Sequence, residues 1–483
     1  MELRTPSDLV LMNACTLSQK IRMREVSCVE VMRAYLDHIA RFNPRVNAIV
    51  SLRDEADLLA EAAERDRELA RGEVRGWLHG LPQAIKDLAA TRGIRTTQGS
   101  PLFRDTIPAA DAIFVERIRA AGAILIGKTN TPEFGLGSQT YNPVFGPTRN
   151  AFDQTRTAGG SSGGAAVALA LRMLPVADGS DHAGSLRNPA AFNNVLGLRP
   201  SFGRVPSDSE EVFLPQLGVA GPMARTVEDL AALLSVQSGY DARAPLSIGE
   251  DPARLARDLT RDFKGTRIGW LGDLGGYLPL EEGILDLCGR GLAALERVGC
   301  TVEAVLPDFP PEAIWNAWLV LRAWLVGSSL AAAYRDPAKR ALLKPEAQWE
   351  VEQGAKLSAF AVAEASKVRT AWYHTVRGLF EAYDYLVLPS AQVFPFAVET
   401  PWPRQIAGRT MDTYHRWMEV VIPVTMSGCP AISVPVGFNG SGLPMGMQIV
   451  APNRGEHALL QIARSLEEEL RWGEKRPPIL DVG

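Results

Sequence analysis

The sequence predicts an α/β chain, with strands and helices alternating in layers around a sheet. Three observations carry that prediction. Short apolar runs bounded by glycine or turn residues recur along the chain. Between them lie stretches with an apolar residue every three or four positions. A run rich in glycine and alanine, from Gly163 to Met173, has side chains small enough for a helix pressed closely against a sheet. At 483 residues the chain has the length for two or three domains. It shows no internal repeat, low-complexity tract or long flexible linker, so residues 1–483 read as one compact domain.

The elements follow in order. Ser27-Cys28-Val29-Glu30 has the capping-box pattern, in which a hydroxyl and a glutamate three residues apart satisfy free backbone N–H groups. Val29, Met32, Leu36 and Ile39 continue it as a helical stripe, with Asn43-Pro44 as the expected end. A second helix is expected from Asp54 to about Arg71, stopping at Gly72. Strand character appears at Ala84-Ile85 and from Ala123 to Ile126. Gly163 to Met173 is expected as a buried helix. Thr226 to Ser238 and Glu281 to Val298 read as helices. Arg267 to Leu271, Thr301 to Leu306, Tyr385 to Pro389, Ala431 to Val436 and Met447 to Val450 read as strands. The segment from about 311 to 417 stands apart, holding Trp315, Trp318, Trp324, Trp349, Trp372, Trp402 and Trp417. Its proline-rich part, Phe394 to Arg404, reads as a loop. Aromatic residues dominate cores, so pattern alone makes most of these tryptophans core.

Composition narrows the functional classes. The apolar fraction of 46% and charged fraction of 22% are ordinary for a globular protein, and the net charge is −4. No basic face points to nucleic acid. No apolar run of membrane-spanning length is read, and the first twenty residues lack the pattern of a signal peptide. Five scattered cysteines form neither a disulfide framework nor a metal pair, so reduced, buried thiols in a cytoplasmic protein are expected. His38, His79, His374, His415 and His457 lack metal-ligand spacing, and no metal or cofactor is expected.

The chemistry concentrates in three runs. Lys86 lies in Gly80-Leu81-Pro82-Gln83-Ala84-Ile85-Lys86-Asp87. Ser161 lies in Gly159-Gly160-Ser161-Ser162-Gly163-Gly164. Ser185 lies in Asp181-His182-Ala183-Gly184-Ser185-Leu186-Arg187-Asn188-Pro189. Taken alone, the glycine-rich run is a flexible loop or a phosphate cradle, but the lysine and hydroxyl that end a P-loop are absent. A solvated Lys86 is opposed by its apolar neighbours Leu81, Ile85 and Leu88. Together the runs resemble the amidase signature family. So do Gly127 to Phe134, Gly146 to Asn150, Gly197 to Ser201, Gly428 to Pro435 and Gly442 to Gln448. The resemblance is dense over residues 80–206 and thinner outside them.

That resemblance implies an αβα-type domain with a central mixed sheet covered by helices, and an amidase acting without histidine or metal. It implies Ser185 as nucleophile, Ser161 as bridge and Lys86 as base, with a cis peptide bond at Gly160–Ser161. Serine is a weak nucleophile and needs an adjacent base. A free lysine, with a pKa near ~10.4, is almost wholly charged at neutral pH, so Lys86 must be buried to serve. The backbone N–H groups of His182, Ala183, Gly184 and Ser185 are expected to form the oxyanion hole. Ser162 is expected as a structural hydrogen-bonding partner, and Asp181 with Arg187 as a rigid pair flanking the turn. The family builds its variable substrate pocket largely from the part corresponding to 311–417, which points to small or medium amides with an apolar or aryl part. Esters and carbamates share the same acyl-enzyme route.

The chain departs from the commoner Thr-Gly-Gly before the nucleophile, carrying His182-Ala183-Gly184. Ala183 restricts torsions that glycine allows. Two readings of His182 stand: a pocket residue that touches substrate or tunes the site, or a packed or capping side chain that supplies only its backbone N–H. Two rivals to a free-standing amidase stand as well. One is the glutaminase subunit of a tRNA-dependent amidotransferase; the other is an inactive binding protein on the same fold.

Overall fold

The computed structural model describes residues 8–214 and 216–481. Residues 1–7, part of the stretch read for a signal peptide, lie outside the described residues. The strands are β1 (Ile49–Val50), β2 (Pro82–Lys86), β3 (Ile124–Thr129), β4 (Ala177–Asp181), β5 (Leu196–Arg199), β6 (Val219–Ala224), β7 (Arg267–Trp270), β8 (Thr301–Ala304), β9 (Tyr385–Pro389), β10 (Gln405–Ile406), β11 (Arg409–Thr410), β12 (Ala431–Phe438) and β13 (Pro444–Val450).

An eight-stranded mixed sheet runs in the order β4-β6-β5-β12-β13-β9-β7-β8. The pairs from β4 through β9 are antiparallel, and β7 lies parallel to both β9 and β8. A second, three-stranded sheet, β1-β3-β2, carries Lys86 at the end of β2. Periodicity alone does not separate this small sheet from the central one, because both are built from short apolar runs.

The helix Gly163–Ala170 is buried along its whole length. A Cβ on Gly164 would stand 2.4 Å from the Asn130 backbone nitrogen and 2.6 Å from the Ala48 carbonyl oxygen. Glycine there lets the helix reach the small sheet. The capping box is formed at Ser27 and Glu30, but the helix Cys28–Val46 passes through Pro44 rather than ending at it. Pro44 falls in the last turn, where a missing N–H costs one bond. The Asn43 side chain then takes over the exit, accepting from the N–H groups of Ala48 and Ile49 at 2.9 and 2.8 Å. The helix expected from Glu281 begins at Ile284, after Gly283 at φ +88°. All five cysteines are buried and free.

The 25-residue helix Pro311–Arg335 corrects the reading that no apolar run reaches membrane-spanning length, since its length and composition suffice for one. Its centre is tied into the fold. Arg322 pairs with Glu350 at 2.6 Å, and Gly327 and Gly354 let it cross the helix Pro345–Gly354 closely. Trp315, Trp318, Trp372 and Trp417 are fully buried, as aromatic core residues should be. Trp324, Trp349 and Trp402 are half-buried.

Candidate active site

Lys86 ends its strand inside the protein, 1% exposed. Its Nζ donates to Ser161 Oγ at 2.7 Å, Ser162 Oγ at 2.9 Å and Ser180 Oγ at 2.9 Å. Three hydroxyls and no carboxylate surround the nitrogen. Burial therefore lowers its pKa to about 7, against a weaker upward pull from Asp178 and Asp181. A substantial neutral fraction exists near pH 7, which a base requires. Sequence spacing alone does not single out Ser180; its signal is its place beside Asp181 on the strand leading to Ser185.

The peptide bond Gly160–Ser161 is cis. Ser138 Oγ donates to the Gly160 carbonyl at 2.6 Å, and Thr140 Oγ1 donates to that of Gly159 at 2.8 Å. The Ser162 N–H donates to the Ser185 carbonyl at 3.2 Å, joining the two serine runs. Ser185 is 7% exposed, and its hydroxyl makes no hydrogen bond among the described residues. Catalytic hydrogen bonds commonly tighten only once substrate is present.

The turn before Ser185 is fixed by Asp181. Its carboxylate accepts from Arg187 Nε at 3.0 Å and Nη2 at 2.9 Å, the expected two-pronged pair. Arg199 adds a second guanidinium at 3.1 Å. Burial alone would raise the Asp181 pKa, but the two arginines hold it well below the usual carboxylate range. Arg187 also reaches Gln448 on β13 at 2.6 Å and Thr425 at 2.9 Å, anchoring the turn to the central sheet.

The oxyanion-hole expectation needs one correction. The Gly184 N–H donates to Asp181 Oδ1 at 2.9 Å, so it is committed to the turn. No hydrogen bond among the described residues engages the N–H of Ala183 or Ser185. The left-handed torsion of the turn falls on Gly184, at φ +84°, and not on Ala183, so the departure from Gly-Gly costs no backbone strain. A side chain at Gly184 would strike Asn188 Oδ1 at 2.3 Å.

A cavity of about 550 Å³ has Lys86, Ser180, Asp181 and His182 in its wall, with apolar Leu88, Phe114, Val205, Leu325 and Val326. Neither Ser161 nor Ser185 is in that wall. A much smaller cleft has Tyr141, Trp402, Tyr414 and Trp417 in its wall, with the charged Lys344 and Glu346. Gly135, beside this cleft, has Ser161 Oγ 3.4 Å from where its Cβ would stand. The His182 ring is half-buried in the cavity wall. Its Nε2 has no partner among the described residues, and desolvation, with Arg322 nearby, lowers its pKa to about 3. Among the described residues the ring makes no capping hydrogen bond. Behind the cleft, Glu350 Oε1 accepts from Arg322 and Tyr414 at 2.6 and 2.5 Å and lies 3.0 Å from His415 Nε2, a network that sequence spacing does not reveal.

Fold and site together define an α/β protein whose buried lysine is hydrogen-bonded to three serine hydroxyls. The model of the Amidase family matches residues 30–460, and the chain belongs to the amidase signature family of amidohydrolases. It is 33% identical over 478 residues to an acylamidase of Rhodococcus erythropolis, covering 98% of each chain. It is also 33% identical to a glutamyl-tRNA(Gln) amidotransferase subunit of Alkaliphilus metalliredigens, covering 95% of this chain and 96% of that one. A bacterial aryl acylamidase of the family superposes with a TM-score of 0.91 at 29% identity, covering 97% of this chain and 98% of that one. The peptide amidase of Stenotrophomonas maltophilia gives 0.82 at 28%, covering 98% and 99%.

Proposed function

We propose that the protein hydrolyses small to medium amides with an apolar or aryl part, through an acyl-enzyme on Ser185. The observation that carries this reading is the 2.7 Å contact between a buried Lys86 Nζ and Ser161 Oγ. Neutral Lys86 takes the Ser161 proton as Ser161 takes that of Ser185, and Ser185 Oγ bonds to the carbonyl carbon. Backbone N–H groups of the turn, those of Ala183 and Ser185 first among them, receive the negative charge on the carbonyl oxygen. The C–N bond then breaks as the proton returns through Ser161 to the leaving nitrogen. Water attacks the Ser185 ester by the same relay, releasing the acid and restoring the serine.

The apolar residues in the cavity wall beside Lys86 favour an apolar or aryl substrate over a small polar one. Esters and carbamates follow the same route and differ only in the leaving group. The test is leaving-group release from a matched aryl amide, ester and carbamate by wild type and Ser185→Ala. Amide cleavage absent from the variant supports the reading. Cleavage at the wild-type rate in Ser185→Ala contradicts it.

A second reading, glutamine hydrolysis within an amidotransferase, is favoured by the 33% identity to such an enzyme's subunit over nearly the whole chain. Glutaminase activity without aryl amide cleavage would select it. A folded protein whose Ser185 fails to react with a serine-directed phosphonate would instead be a binding protein on this fold.

A further inference from the structure

β4 grips Lys86 at both ends. Ser180 Oγ accepts from its Nζ, and two residues earlier, on the same face of the strand, the Asp178 carboxylate accepts from its backbone N–H at 3.3 and 3.2 Å. Asp178 is completely buried, yet it lines the 550 Å³ cavity together with Lys86 and Ser180. The hydroxyls of Ser161 and Ser185 lie outside that wall, so the lysine and Asp178 share an opening that the serine pair does not.

The charges around the pair are unevenly compensated. Lys86 is faced by two carboxylates, Asp178 and Asp181, both on β4. Asp181 is occupied by Arg187 and Arg199. Among the described residues no guanidinium pairs with Asp178; besides Lys86 it is faced by Lys128 on β3, whose Nζ is turned to the Ala89 carbonyl at 2.7 Å and Thr91 Oγ1 at 2.6 Å and which also faces Asp87 and, more weakly, Asp111. Asp178 is therefore the less compensated of the two negative groups beside the triad lysine.

We propose that Asp178 is a positioning residue for Lys86: from the cavity wall it fixes the lysine backbone, and its charge sets the fraction of Lys86 that is neutral and able to act as base. This rests on the assignment of Lys86 and Ser185 made above. Burial raises the Asp178 pKa to about 6 and lowers that of Lys86 to about 7, so the two titrate close together and as a pair. The carboxylate opposes the desolvation of Lys86 and keeps it protonated to higher pH than the apolar surroundings would.

The test follows the rate of Ser185 modification by a small aryl fluorophosphonate across pH, in wild type, Asp178→Asn and Asp178→Glu. Asparagine keeps an acceptor for the Lys86 N–H and removes the charge. The acidic limb of the Asp178→Asn profile is expected about half a pH unit or more below that of wild type, with Asp178→Glu returning toward wild type. A folded Asp178→Asn whose limb coincides with wild type overturns the proposal, since a merely structural residue would alter stability and not the limb. Should Asp178→Asn fail to fold, the carboxyl carbon of Asp178 is titrated by NMR in wild type and in Lys86→Met. An upward displacement on removal of the lysine supports the pair, and an unmoved titration overturns it. Wild-type protein that is never labelled at Ser185 overturns the proposed function instead, and the carboxyl titration still decides whether Asp178 and Lys86 are coupled.

Discussion

Two buried cations in this molecule are held in opposite ways. Lys86 has three serine hydroxyls at its nitrogen, and its pKa falls to about 7. Arg322 is just as deeply buried, but Glu350 lies 2.6 Å away, and this pair with Tyr414 outweighs desolvation and holds the guanidinium charged. Under the proposed mechanism, the group that gives up and takes back a proton is buried without a counter-ion at its nitrogen, whereas the group that ties helices together is buried with one. The first arrangement sacrifices stability for reactivity, and the second keeps charge and geometry fixed.

The largest effect is expected at the lysine. Lys86→Met should lower kcat/KM for an aryl amide by about 10²–10⁴-fold while the protein stays folded, measured by steady-state kinetics beside thermal unfolding. Wild-type activity in that variant would remove Lys86 from the mechanism. Glu350→Ala should do the reverse. It leaves Arg322 charged and unpaired, and a loss of roughly 3–5 kcal/mol in denaturant unfolding is expected. An unchanged midpoint would mean the pair contributes nothing.

Stability against pH probes the same contrast. The folded-state pKa of Lys86 is depressed below its unfolded value, so between the two the unfolded chain binds the extra proton. The destabilisation it causes is fully present below about pH 7 and is relieved as pH rises toward the ordinary lysine range. Relative to Lys86→Met, the wild type should gain stability across that window; parallel curves would show that Lys86 is not depressed. The smallest effect is expected at His182→Ala. The backbone N–H survives and only a cavity-wall ring is lost, so kcat/KM should change by about tenfold, carried mainly by KM. A collapse of kcat would make the ring part of the chemistry.

Much of this was legible in the sequence because it is local. The capping box at Ser27, the glycine–alanine helix and the strands Tyr385–Pro389 and Ala431–Phe438 are specified by neighbours in the chain. The Asp181–Arg187 pair lies within one turn of chain and was equally readable. What escaped was long-range. The separation of β1-β3-β2 from the central sheet depends on packing, not on periodicity. Ser180, Asp178 and the Arg322–Glu350–His415 network gain their meaning only from what the fold brings against them. The commitment of the Gly184 N–H to Asp181 is likewise set by the shape of the turn, and a motif read as four equivalent donors cannot reveal it.

The most direct test of a neutral lysine base is the pH dependence of kcat/KM for an aryl amide in the wild-type protein. The rate is expected to rise with unit slope through a limb near pH 7 and to level off above it, following deprotonation of Lys86. A rate still climbing toward the pKa of a free lysine, or one flat through neutrality, would contradict the account.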